Sequence, residues 1–303
     1  MKTKLTLSIL LLSTLLLASC GGGVPAEEPL PPDGPAESVA EDAPPPAPEP
    51  TAEPEPTAVP EPDFVPQPPD AQRMEFEASD GASLVGYYYP ASVPEAPVVV
   101  LMHWAGGDQT DWQNNGMIAW LQNRGGGGIQ KPSRQSAIYP VMPEDTSFAV
   151  FTFDFRGFGE SSGSFSRDGG LLDAKTAYEF VKTIEGVDSS RMAGIGSSIG
   201  SDGVVDGCAE GCLGALSLSP GSYLTLPYAD EVKRLDGEKK PVTCIASEGD
   251  GTSAAACNSA AGTYYKTVIY PGSDHGDELL QQPNIPEGIG QVILDWLVLA
   301  FSL

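Results

Sequence analysis

The segment Ala96-Pro-Val-Val-Val-Leu-Met-His103 constrains the fold more than any other stretch of the chain. It is a continuous apolar run, which reads as a strand covered on both faces. Such a strand needs helices above and below its sheet. The surrounding sequence supplies strands and helices in turn. Met74–Ala78 and Ser83–Tyr89, split by Ser79-Asp80-Gly81, read as a β-hairpin. Thr110–Asn123, with Trp112, Ile118, Trp120 and Leu121, has a helical pattern, and Ser147–Phe155 reads as another strand. Leu171–Ile184 carries a helical stripe at Leu171, Ala174, Ala177, Phe180, Val181 and Ile184. Arg191–Ser197 is a short strand with a small-residue helix after it. Gly214–Ser219, Pro241–Ser247 and Tyr265–Tyr270 complete the strands. Ile289, Val292, Ile293, Trp296 and Leu297 mark a closing amphipathic helix. The expected fold class is α/β: a doubly wound, mostly parallel central sheet with an N-terminal antiparallel hairpin. About 20 residues separate Ser219 from Pro241, so no large cap domain is expected there.

This pattern begins only after residue 70. Of the 29 prolines, 17 lie between Gly21 and Asp70, with 12 acidic residues and no Lys or Arg. Repeated Pro-Glu, Pro-Ala and Pro-Pro steps favour extended chain that cannot bury a core. Before it, Lys2 and Lys4 precede the apolar run Leu5–Leu17 and then Leu17-Ala18-Ser19-Cys20. The run is too short for a transmembrane helix and has the parts of a cleaved signal peptide. Leu-Ala-Ser-Cys resembles the bacterial lipobox, which implies cleavage before Cys20 and lipid attached to it. The expected organisation is a signal peptide over 1–19, a lipidated tether over 20–72 and a globular domain over 73–303. The expected location is outside the cytoplasm, anchored to a bacterial membrane. The net charge of −25 argues against nucleic acid, which needs a basic footprint, and favours solubility.

Four cysteines follow Cys20: Cys208, Cys212, Cys244 and Cys257. An even number in an exported chain suggests disulfides. Four cysteines allow three pairings, and Cys208–Cys212 with Cys244–Cys257 is favoured because each closes a short loop. A zinc site is disfavoured: there is one C-x3-C pair, no second tight pair, and no histidine near it.

Chemistry enters at Gly196-Ser197-Ser198-Ile199-Gly200, a G-x-S-x-G directly after a strand and before a helix. A nucleophilic serine there sits on a sharp, strained turn with its hydroxyl clear of the sheet. The N–H of Ile199 is then placed to stabilise an oxyanion. A second G-x-S-x-G, Gly159-Glu160-Ser161-Ser162-Gly163, lacks that strand–turn–helix setting and reads as a loop. The chain has two histidines. His275 lies just past the last strand and is the expected general base, since a serine needs a base tuned near neutrality. His103 ends the first buried strand, ahead of the serine, and does not fit the chain order serine, acid, histidine. Two carboxylates follow the strand Pro241–Ser247. Asp250 is the expected acid, which fixes the imidazole tautomer, with Glu248 in reserve. Asp274 neighbours His275 but should diverge from it, and Asp154 reads as structural. The second oxyanion donor is expected from the loop after His103: the N–H of Ala105, with Trp104 next.

Together, His103–Gly107, Phe153–Ser161, Gly196–Gly200, Ser247–Asp250 and Gly272–Gly276 resemble an α/β-hydrolase, in the expected order across residues 74–303. Val187–Arg191 before the elbow strand is similar to the dienelactone-hydrolase-like, small-esterase branch. The resemblance implies a serine hydrolase acting on carboxylic esters or related acyl compounds, without cofactor or metal, as a monomer. Peptidase or thioesterase activity, or a non-catalytic surface binding module of the same fold, are the alternatives. Trp104 stands where many relatives carry Gly, which implies a narrowed oxyanion loop. The helix after the elbow should be short, and the insertion at 124–146 could rim the site.

Overall fold

A computed structural model describes residues 71–93, 95–123, 139–143 and 146–303. The expected signal peptide, Cys20, the expected tether up to residue 70 and most of the 124–146 insertion lie outside the described residues.

Eight strands form one sheet: β1 Gln72–Glu77, β2 Ser83–Tyr89, β3 Ala96–Met102, β4 Ala149–Phe153, β5 Val187–Ser197, β6 Cys212–Leu218, β7 Val242–Ser247 and β8 Tyr265–Tyr270. Their spatial order is β1-β2-β4-β3-β5-β6-β7-β8. β1 pairs antiparallel with β2, and β2 antiparallel with β4. Every later pairing is parallel. The mostly parallel sheet with an antiparallel N-terminal hairpin expected from the sequence is therefore borne out. β1 starts at Gln72, two residues before the expected Met74.

All seven residues of β3 are buried, because both sheet faces are covered. On one face, α3 (Arg167–Val181), α4 (Ile199–Asp206), α5 (Tyr228–Gly237) and α6 (Gly251–Ser259) pack through residues such as Tyr178, Val204, Val232 and Cys257. On the other, α1 (Asp111–Asn114), α2 (Met117–Leu121) and α7 (Ile289–Phe301) pack through Trp112, Met117, Ile293 and Trp296. Each fully buried Val or Leu contributes about 1.5–3 kcal/mol relative to exposure. The core is thus two layers of helix contact around one sheet.

Three expectations need correction. Thr110–Asn123 is not one helix: it breaks into α1 and α2 at Gly116, whose φ of 84° no regular helix contains. β5 is longer than Arg191–Ser197 and begins at Val187, where Ala96 pairs with it. Helices α5 and α6 were not expected. α5 has only three buried residues, Tyr228, Val232 and Leu235, between charged ones. α6 is built from small residues with no apolar stripe.

The cysteines pair as Cys208–Cys212 and Cys244–Cys257, with Cα separations of 5.2 and 5.6 Å. The first bridges the end of the α4 segment to the start of β6. The second staples α6 to β7.

Candidate active site

Ser198 stands between β5 and α4 with φ 51° and ψ −113°. For a residue with a Cβ, this conformation costs about 1–3 kcal/mol. Neighbouring bonds hold it. Its N–H donates to the Leu218 carbonyl at 2.9 Å, and its own carbonyl accepts the N–H of Ser201 at 2.9 Å and the Ser201 hydroxyl at 2.5 Å. The flanking glycines are required by space. A Cβ on Gly196 would lie 2.0 Å from the Gly200 carbonyl oxygen, and one on Gly200 would lie 2.1 Å from the Met102 carbonyl oxygen. The second contact presses the start of α4 onto the end of β3. It brings the loop after His103 beside the serine.

His275 follows β8 and heads a short 3-10 helix, Gly276–Leu280. Its N–H donates to Glu278 Oε2 at 2.9 Å. The Ser247 hydroxyl, at the end of β7, donates to the Asp274 carbonyl at 2.8 Å. These bonds fix the backbone on both sides of the imidazole. Asp250 caps α6, accepting the Ser253 N–H through its carboxylate.

The three side chains meet. Ser198 Oγ lies 2.8 Å from His275 Nε2, and His275 Nδ1 lies 2.7 Å from Asp250 Oδ2. Desolvation opposes the charge on Asp250. The hydrogen bonds from Ser253 and His275 outweigh it and hold this carboxyl below its ordinary range. An ionised Asp250 accepts, so Nδ1 carries the proton and donates. Nε2 is then free to accept the serine proton, the state a general base requires.

The reserve candidates stand apart. Glu248 is exposed, and its backbone N–H donates to the Tyr270 carbonyl. Asp154 accepts the N–H groups of Gln109 and Glu160, each at 2.9 Å. Ser161, in the second G-x-S-x-G, accepts the Val85 N–H at 2.9 Å and donates to the Asp154 carbonyl at 2.6 Å. His103 is buried. Its Nε2 accepts the Phe155 N–H at 3.0 Å, so its Nδ1 donates to the Trp104 carbonyl at 2.6 Å. Burial lowers its affinity for a proton, which keeps it neutral in this bridge.

Ile199 opens α4, where backbone N–H groups have no partner within the helix and the helix dipole is positive. Ala105 is exposed in the turn that follows β3. Trp104 lies near His275: its indole N–H donates to Asp111 at 3.0 Å, and its ring centre lies 6.4 Å from that of His275. Tyr223, in the loop after β6, faces the imidazole with a centre separation of 6.1 Å. The sequence reading did not single out Tyr223 or Ser253. Neither lies in a recognisable pattern, and both reach the site only through the fold.

Two further acids sit in α4. Burial pushes Asp202 up to about 6, against hydrogen bonds from the backbone of residues 221–224. Burial and the neighbouring Asp202 and Glu231 push Asp206 up to about 8.

No family model matches the chain. The YfhR protein of Salmonella typhi, itself uncharacterized, is 28% identical over 154 residues, which are 49% of this chain and 44% of that one. The likeness therefore spans less than half the length of that relative. Rv2307c of Mycobacterium tuberculosis, also uncharacterized, is 26% identical over 250 residues, covering 75% of this chain and 78% of its own. Among solved structures, the esterase Pf2001 of Pyrococcus furiosus superposes with a TM-score of 0.55 at 15% identity, over 77% of this chain and 91% of that one. Strand order, pairing directions and this superposition define an α/β-hydrolase fold.

Proposed function

We propose that this protein is a serine hydrolase that cleaves carboxylic esters through an acyl-enzyme at Ser198. The observation that carries the reading is the unbroken relay from Ser198 Oγ through His275 to Asp250, at 2.8 and 2.7 Å, ending on a carboxylate kept ionised. Ser198 gives its proton to His275 Nε2 as Oγ attacks the ester carbonyl. The N–H groups of Ile199 and Ala105 receive the developing oxyanion, a contribution of about 2.7–4 kcal/mol per donor. Asp250 steadies the imidazolium without taking its proton. His275 then protonates the departing alcohol, and the ester oxygen of Ser198 stays acylated. Water, deprotonated by the same nitrogen, releases the acid and restores the hydroxyl.

Esters are favoured over amides because an alkoxide departs more readily than an amine, whose nitrogen must be protonated before the bond breaks; thioesters are the alternative acyl substrates. In the same reading, lipid on Cys20 and the proline-rich tether hold the domain at the outer side of a bacterial membrane. A fluorophosphonate probe tests the chemistry. It should label the native chain and leave Ser198→Ala unlabelled; labelling that survives the substitution rejects the assignment. A series of nitrophenyl esters of rising acyl length then defines the substrate. Cys20→Ser should move the protein from the detergent phase to the aqueous phase, and retention in detergent would reject the anchor.

A further inference from the structure

The loop after β6 carries no motif, yet its backbone is gripped from two sides. Asp202, fully buried and four residues beyond Ser198, accepts the N–H groups of Gly221 at 3.3 Å, Leu224 at 3.4 Å and Tyr223. From the other side, the Arg167 guanidinium at the start of α3 donates to the carbonyls of Ser222 at 2.8 Å, Tyr223 at 3.2 Å and Leu224 at 3.1 Å. Within the same loop, Ser219 and Ser222 adopt φ values of 58° and 53°. Each costs about 1–3 kcal/mol. A surface connection seldom combines strain with this many bonds unless its shape matters.

What the grip fixes is Tyr223. Its ring stands edge-on to His275, at 78° between planes. Its hydroxyl lies 3.4 Å from that of Ser253, whose N–H bonds Asp250. Tyr223 therefore spans the Asp250–His275 pair from outside. The pair lies close to solvent: even with Tyr223 in place the His275 and Asp250 side chains keep 28% and 11% of their exposure, so loss of the ring would open it further. Water competing for either partner weakens the bond that orients the imidazole, because an electrostatic contact is worth more where water is excluded.

We propose that Tyr223 is a positioning residue that seals the Asp250–His275 hydrogen bond against water, and that Asp202 and Arg167 hold it in place. The proposal rests on the reading of Ser198 and His275 above. It links the two halves of the site: the carboxylate that grips the loop belongs to the helix that begins at the nucleophile.

The two histidines of the chain make the test direct. Imidazole N–H resonances can be assigned, with Asp250→Asn identifying the one from His275. In Tyr223→Ala the His275 Nδ1 proton should exchange with solvent about tenfold faster. In the same variant kcat should fall about 10- to 100-fold with KM within about twofold, as expected for a misplaced catalytic group. Tyr223→Phe keeps the ring and should restore both. Arg167 is exposed, so Arg167→Met should fold normally and move both readouts the same way by about threefold. Unchanged proton exchange in a folded Tyr223→Ala overturns the proposal, as does faster exchange with native kcat. If the native protein hydrolyses no ester, the functional reading fails, and the exchange measurement alone still decides the sealing role.

Discussion

The two G-x-S-x-G segments share a pattern and nothing else. At the first, the serine has φ 51° and a hydroxyl aimed at an imidazole. At the second, Ser161 has both hydrogen-bonding roles of its hydroxyl taken by backbone, from Val85 and to Asp154. The glycines differ in the same way. Gly196 and Gly200 are glycine because backbone oxygens sit about 2 Å from where a Cβ would be, whereas in the second segment a Cβ on Gly159 would meet the Asp154 side chain at 2.1 Å and one on Gly163 would meet nothing within 4 Å. A motif of three letters brings its serine to a histidine only when a strand and a helix converge on it. Without them it is a polar loop that pins β2 to the end of β4.

That contrast can be broken most sharply by exchanging alanine for each serine. Ser198→Ala should lower ester turnover by about 10⁴- to 10⁶-fold while barely moving the denaturation midpoint. Ser161→Ala should leave turnover within about twofold. Asp250→Asn should act on the first segment only, lowering kcat by up to about 10⁴-fold because the imidazole adopts the wrong tautomer. Among the glycine and serine substitutions, Gly200→Ala should cost the most stability, at several kcal/mol (about 3 or more), since backbone must move. Gly163→Ala should cost only about 1 kcal/mol, the price of a left-handed residue with a Cβ. Ser161→Ala should cost about 1–3 kcal/mol in urea melts, because the buried Val85 N–H loses its acceptor.

The last contrast is one of pH, and it too belongs to the first segment alone. Neither carboxylate oxygen of Asp206, at the end of α4, meets a hydrogen-bond partner among the described residues, and burial raises the group to about 8. A carboxyl raised in the folded state binds its proton there more tightly than in the unfolded chain. Stability is therefore greatest below its ordinary value of 3.8 and erodes as pH rises toward about 8. Asp206→Asn should remove that slope, so that the Tm of the variant pulls ahead of the native protein as pH is raised through this window. Parallel Tm curves would show that Asp206 is solvated.

Much of this was legible beforehand because it is local. A fully apolar β3, a serine between strand and helix, and an acid and a histidine each just after a strand all leave marks in short stretches. What escaped reading is what depends on contacts across the chain. Gly116 ends a helix that the apolar spacing continues through. α6 shows no apolar stripe because one end is held by a disulfide and the other by Asp250 as its cap. Tyr223 reaches His275 only because Asp202 and Arg167, 21 and 56 residues away, shape its loop.

The bridge between Cys244 and Cys257 encloses Asp250 in a closed ring of chain. Material made in a thiol-rich host, or stored with a reductant, would hold Asp250 at the head of a nine-residue helix that has lost its covalent mooring. Specific activity would then report the oxidation history of a preparation as much as its purity, so free thiols should be counted before any catalytic constant is compared between batches.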